Sequence, residues 1–203
     1  MAAAIDLDSE VTAAEASAPE ATGSKLSLLA AVRARSVRLG PECVRRALLA
    51  RLTPRKEDRL LELGVGSGST LLAVATRASE GFVAGIEPDP LALRHARRRC
   101  ERLVRDGRVT LAAGSSSDLS MFEPASFDKV YGVHVSSFWD EPAGHLAEIR
   151  RVLRPGGLLL LGRSPWLPEG LATGERLEHA LRETGFRSVH TDCADPMVWT
   201  TAR

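Results

Sequence analysis

The chain has 203 residues, 44% of them hydrophobic and 26% charged, with a net charge of +1. That length suggests one domain with a self-sufficient core, and the near-neutral balance argues against a body built wholly to clamp nucleic acid. No apolar run approaches the roughly 18 residues that span a bilayer, the three cysteines, Cys43, Cys100 and Cys193, do not suggest a disulfide framework, and the acidic opening residues are unlike a secretory signal, so the expected location is the cytoplasm.

The neutral total hides an asymmetry. Residues 1–25 carry five acids against Lys25, a net of −4, which leaves +5 on the remainder. This first segment has no sustained apolar stripe and is expected to be a disordered tail. Residues 26–203 are expected to form a single domain. Leu26, Leu28, Leu29 and Val32 suit a short helix. Gly40-Pro41 breaks the chain, and Val44, Leu48 and Leu52 repeat at the four-residue spacing of one helix face.

From there short apolar runs alternate with amphipathic stretches. The pattern predicts strands over 59–63, 82–86, 109–113, 127–133 and 158–161. It predicts helices over 70–78, 90–104, 142–153 and 175–184 between or after them. Pro155-Gly156-Gly157 is a turn, Gly185 caps the last helix, and two β-rich runs at 188–193 and 198–201 flank Ala194-Asp195-Pro196, a plausible hairpin turn. Alternating strands and helices predict a Rossmann-like, doubly wound α/β sheet, mostly parallel and covered on both faces. The final pair breaks the alternation and predicts one antiparallel strand.

The most informative stretch runs Glu62-Leu63-Gly64-Val65-Gly66-Ser67-Gly68-Ser69-Thr70, with a strand before it and a helix after it. Gly64 and Gly66 permit a sharp turn, Gly68 permits close approach of a ligand to the main chain, and the helix start offers unpaired N–H groups. Glu87 ends the second strand 19 residues after Gly68. A carboxylate there can accept two hydrogen bonds from ribose hydroxyls. Ser69 departs from the dinucleotide fingerprint, which wants glycine or alanine at that position.

Five segments in order resemble the class I S-adenosylmethionine-dependent methyltransferases, over about residues 41–203. They are the glycine segment from Glu62 to Gly68, then Gly85-Ile86-Glu87-Pro88-Asp89-Pro90, then Ala113-Gly114-Ser115-Ser116-Ser117-Asp118-Leu119, then Ser126-Phe127-Asp128-Lys129-Val130, and then Leu153-Arg154-Pro155-Gly156-Gly157. The resemblance implies a seven-stranded sheet of order 3-2-1-4-5-7-6 with the last strand antiparallel. It implies S-adenosylmethionine as cofactor, its methionine part over Gly64, Gly66 and Gly68 with Glu62 in support, its ribose on Glu87, and its adenine near Ser115 and Ser116. Ser115 stands where the family often has an acid, and an uncharged acceptor is typically the weaker one.

Methyl transfer from a sulfonium is an in-line displacement with a good leaving group, so positioning can supply much of the catalysis. A base is needed only where the acceptor's proton must leave early. His134, beyond the fourth strand, is the candidate base. Phe138, Trp139 and Trp166 are candidate walls of an acceptor pocket near the carboxyl ends of strands four and five. The arginines over 94–108 read as a solvated face, because no aromatic residue interleaves them. The histidines show no metal-ligand spacing, so no metal is expected. The leading reading is a methyltransferase acting on a small molecule, with no nucleic-acid or membrane partner. The alternatives are a methyltransferase-like binding or scaffold module, and a nicotinamide-dependent oxidoreductase.

Overall fold

The structure, a computed structural model, describes residues 40–135, 142–163, 170–194 and 197–203. The expected tail over 1–25 and the helical stretch over 26–38 lie outside the described residues. In chain order the elements are α1 (Gly40–Leu52), β1 (Arg59–Leu63), α2 (Ser69–Arg77), β2 (Phe82–Glu87), α3 (Pro90–Arg99), α4 (Glu101–Arg105) and β3 (Val109–Ala113). There follow β4 (Phe127–Val133), α5 (Pro142–Val152), β5 (Leu153–Arg163), α6 (Gly170–Glu183), β6 (His190–Ala194) and β7 (Met197–Ala202). The seven strands form one sheet in the order β3-β2-β1-β4-β5-β7-β6. β7 runs antiparallel to both β5 and β6, and the other neighbouring pairs are parallel.

The two-residue period of the strands divides the core. Leu60, Val83, Tyr131, Leu160 and Trp199 point to one face, where they meet Leu48 and Leu52 of α1, Leu71 and Val74 of α2, and Leu93 and Ala96 of α3. Leu61, Ala84, Val130 and Leu161 point to the other, against Leu146 and Ile149 of α5 and Leu177 and Leu181 of α6. Apolar residues at successive strand positions therefore bury both faces, as a doubly covered parallel sheet requires.

Two strand glycines are fixed by what presses on them. A Cβ on Gly85 would lie 2.4 Å from Val65 and 2.5 Å from Leu71. A Cβ on Gly162 would lie 2.6 Å from the ring of Trp199, its cross-strand partner on β7. Trp199 is fully buried, and the Arg51 guanidinium lies 5.3 Å from its ring centre while pairing with Asp192 at 2.7 Å.

The structure departs from the pattern in places. The helix predicted over 90–104 is two, α3 and α4, separated at Cys100. Cys100 is buried, its backbone leaves the helical region, and its Sγ lies 3.9 Å from the Gly68 carbonyl. The fifth strand begins earlier than its apolar run, at Leu153, and contains the predicted turn as a bulge. Phe127 pairs with Leu153, but Lys129 pairs with Leu158, so residues 154–157 loop out of register. α6 starts at Gly170, five residues before the stretch predicted from its leucine spacing.

Candidate active site

The order of strands reverses between β1 and β4, and both connections leave the carboxyl edge there. A crevice at such a switch point is where open α/β sheets place ligands. The glycine loop after β1 occupies that edge. Gly64, Gly66 and Gly68 all have positive φ, at 69°, 54° and 78°. No side chain other than glycine adopts three such angles in five residues without strain. Gly68 has a second constraint, since a Cβ there would lie 2.9 Å from the Ala96 Cα of α3. Close packing against α3 is thus an added reason for glycine at this position. Gly66 has nothing within 4 Å of where its Cβ would stand, so the loop presents an open backbone face.

Glu87, at the end of β2, is 8% exposed. Its Oε2 accepts from the Gly66 N–H at 2.7 Å and its Oε1 from the Asp89 N–H at 3.0 Å. A carboxylate has about four acceptor positions, so both oxygens keep capacity for ligand hydroxyls. Asp89 then caps α3 by accepting from the Leu91 N–H at 2.9 Å, with Pro90 in the first turn. The acid and the loop are therefore fixed to each other, and the acid is fixed to the helix that follows it.

Glu62 lies beneath the loop, 2% exposed. Its Oε2 accepts from the Tyr131 hydroxyl at 3.0 Å, and its Oε1 accepts from the Thr70 hydroxyl. Burial pushes its carboxyl up to about 8, against the two hydroxyl donors that pull it down.

After β3, the Gly114 N–H donates to the Glu87 carbonyl at 3.4 Å, which brings the next loop to the same edge. Ser115 is half-buried, and its hydroxyl oxygen accepts from the Ser117 hydroxyl at 3.1 Å. Ser116 is buried, and its hydroxyl lies 2.7 Å from Nδ1 of the buried His145 on α5. The Asp118 carboxylate is exposed and held below the usual range by Ser120, whose N–H it accepts at 3.0 Å.

α5 grips this loop further along. Glu148 accepts from the Leu119 N–H at 2.9 Å, and Arg151 donates to the carbonyls of Leu119 and Phe122 at 2.8 and 2.9 Å. Arg151 also donates to Glu148 at 2.8 Å.

His134 follows β4 with φ of 56°, a left-handed backbone rare outside glycine. Its N–H donates to the Gly162 carbonyl at 2.9 Å, which prolongs the pairing of β4 with β5. Its side chain is exposed, and desolvation by the surrounding protein lowers its pKa below the ordinary value. The next residue, Val135, would lie 3.4 Å from a Cβ on Gly64, so this segment adjoins the glycine loop. Phe138, Trp139 and Trp166 lie outside the described residues.

The structure thus brings Glu62, Gly64, Gly66, Gly68, Glu87, Ser115 and His134 to one edge, and engages the Ser116 hydroxyl within the protein. Tyr131, Thr70 and the α5 trio of His145, Glu148 and Arg151 were not singled out from the sequence. The spacing of 145, 148 and 151 on one helix face was a visible signal. The Tyr131 contact was not, because it depends on the register of β4 against β1.

A cavity of about 430 Å³ opens beside the loop, lined by Ser67, Ser69, Glu42, Arg45 and Arg99. Another, of about 580 Å³, lies around Lys129, Asp128 and Arg154, toward the opposite edge of the sheet. Among the described residues no group of three or more His, Cys, Asp or Glu side chains could hold a metal ion.

A family profile described as a methyltransferase domain matches residues 61–161, the span from β1 to β5 that builds this edge. The chain belongs to the class I S-adenosylmethionine-dependent methyltransferases. It is 29% identical over 180 residues to the O-methyltransferase resE of Aspergillus sclerotiorum, covering 79% of this chain and 67% of that one. A methyltransferase structure from Aquifex aeolicus has the same fold, with a TM-score of 0.67 at 16% identity over 78% of this chain and 88% of that one. A Haemonchus contortus phosphoethanolamine N-methyltransferase 2, in complex with S-adenosyl-L-methionine, is 25% identical with a TM-score of 0.60, over 73% of this chain and 37% of that one. The chain spans about two thirds of the length of the O-methyltransferases it matches. The family cofactor is S-adenosylmethionine, and the open backbone face at Gly66 beside a strand-end carboxylate fits it.

Proposed function

We propose that the chain transfers a methyl group from S-adenosylmethionine to an oxygen atom of a small-molecule acceptor. The observation that carries this reading is the clamp of Glu87 on the Gly66 N–H, which puts a strand-end carboxylate and an open backbone face side by side at the switch point. Gly64, Gly66 and Gly68 would hold the methionine part, Glu87 the ribose, and the Ser115 loop the adenine. The bound cofactor supplies an electrophilic methyl on a good leaving group. The chain's own residues then have to orient the acceptor and remove a proton. His134 is the proposed base, because its lowered pKa keeps it neutral at pH 7 and a hydroxyl acceptor must lose its proton.

The oxygen acceptor is supported by relatives named as O-methyltransferases. A small acceptor without nucleic acid is supported by what three of the seven arginines over 94–108 do. Arg97 donates to the Leu111 carbonyl, Arg105 pairs with Glu101, and Arg108 holds the Ala75 and Ala78 carbonyls at the end of α2. We place the reaction in the cytoplasm, a reading the free thiols of Cys43 and Cys100 support. No helix among the described residues is long and apolar enough to cross a membrane.

Calorimetry with S-adenosylhomocysteine tests the cradle. Glu87→Ala and Gly66→Val are each expected to weaken binding at least tenfold, and normal binding by both would refute the placement. Turnover of labelled S-adenosylmethionine against a panel of hydroxylated metabolites tests the activity, with His134→Ala expected to lose a factor of roughly 100 or more if it is the base.

A further inference from the structure

We propose that Tyr131 is a positioning residue for the cofactor loop, acting through Glu62 and not through contact with the cofactor. The inference rests on the reading of the glycine loop as the cofactor cradle.

Tyr131 is the single tyrosine of the chain and is fully buried in the middle of β4. Its ring packs among leucines, a role phenylalanine would fill. What phenylalanine lacks is the hydroxyl, and a buried hydroxyl is costly unless it has a partner. That partner is Glu62, its cross-strand neighbour on β1. The other oxygen of Glu62 takes the Thr70 hydroxyl from the first turn of α2. One carboxyl therefore joins the strand that enters the loop, the helix that leaves it, and the strand across the switch point. The three elements meet below the residues that would cradle the cofactor. Tyr131 fixes the carboxyl, and the carboxyl fixes the separation of the loop's two ends.

The surroundings of Glu62 fit an internal strut better than a charged ligand. It faces Glu87 of β2, Tyr131 of β4, Thr70 of α2 and Cys100 after α3, a set without a cation. Burial and the Glu87 charge both favour its protonated form. A group designed to hold a cationic ligand by charge would be expected in the opposite setting.

The test is a double-mutant cycle read by S-adenosylhomocysteine binding, using wild type, Tyr131→Phe, Glu62→Met and the double variant. Methionine fills the volume without offering a carboxyl. Tyr131→Phe alone is expected to weaken binding roughly fivefold, the scale of one buried hydrogen bond. In the Glu62→Met background the same change is expected to cost less than about twofold. Multiplying effects would overturn the proposal, because Tyr131 would then act by its own packing. A second measurement needs only Tyr131→Phe and stands if Glu62→Met does not fold. The carbon-13 carboxyl signal of Glu62 is expected to titrate at higher pH in Tyr131→Phe, since a donor favouring the ionised form is gone. An unmoved titration would overturn the proposal. If wild type binds no S-adenosylhomocysteine, the cradle reading falls and takes this inference with it, whereas binding with multiplying effects removes Tyr131 alone.

Discussion

Glu62 gives folding a pH dependence of unusual sign for an acid. Its folded carboxyl titrates at about 8 against an ordinary value of 4.5. Between those values the unfolded chain has released the proton and the folded chain keeps it. Stability therefore falls as pH rises through that window and levels above it. Glu62→Gln has no such proton to lose. Its melting temperature relative to wild type is expected to climb from about pH 5 to about pH 8 and then stay flat, as parallel thermal melts would show. A constant offset across that range would mean the carboxyl is not held protonated.

His134 carries two burdens that mutation can separate. Its left-handed backbone strains any residue with a Cβ. His134→Gly is expected to be about 1 kcal/mol more stable than His134→Ala, while both lose the proposed base. The pKa of His134 lies below 6.5, so the acidic limb of the wild-type pH–rate profile is expected below that value and absent from both variants. Glu87 and His134 were visible as an acid and a histidine at strand ends, and Glu62 only through the family resemblance. Tyr131 stayed hidden because its contact exists only once β4 lies beside β1 in one particular register, and Thr70 because its contact depends on how the glycine loop sets α2 against β1.

Among the elements, α5 acts as a brace for the loop that follows β3. His145, Glu148 and Arg151 recur at three-residue spacing and reach Ser116, Leu119 and Phe122. Arg151→Ala removes two bonds to loop carbonyls and is expected to cost about 2 kcal/mol of stability. It is also expected to weaken S-adenosylhomocysteine binding several-fold, measured by calorimetry beside the melt. The pairing of Gly162 with Trp199 is a second element-level constraint. Gly162→Ala forces the ring to move and is expected to cost about 1–3 kcal/mol by overpacking.

The element boundaries show where periodicity reaches its limit. Apolar runs located β1 to β4 almost to the residue, since buried parallel strands have little else in them. The early start of β5 was not legible, because Leu153 joins the ladder only through its pairing with Phe127. The split of α3 from α4 was not legible either. The apolar stripe passes straight through Cys100, and the break comes from the backbone there.

For the whole molecule, the switch-point edge and the core are one construction. The strand order that creates the switch point also buries Leu60 and Leu61 on opposite faces. A ligand held there binds the folded chain and not the unfolded one. S-adenosylhomocysteine at about 100 times its dissociation constant is expected to stabilise the protein by about 2.7 kcal/mol, seen as a rise in melting temperature. The layered α/β plan was legible from alternation alone, and the final antiparallel strand from the break in that alternation. The crossing of the last two strands was implied by the family resemblance and not by any spacing.

That crossing has a consequence for how the chain is made. β6 touches the sheet only through β7, and β7 follows it in the sequence. During synthesis β6 emerges with no berth, and the edge of β5 stays bare until residues 197–202 arrive. Leu159 to Arg163 then waits as an open hydrogen-bonding template, rich in leucine and without a charge before its last residue. The nascent chain is most exposed to mispairing in that interval, so the closing strand is the step that a chaperone would guard.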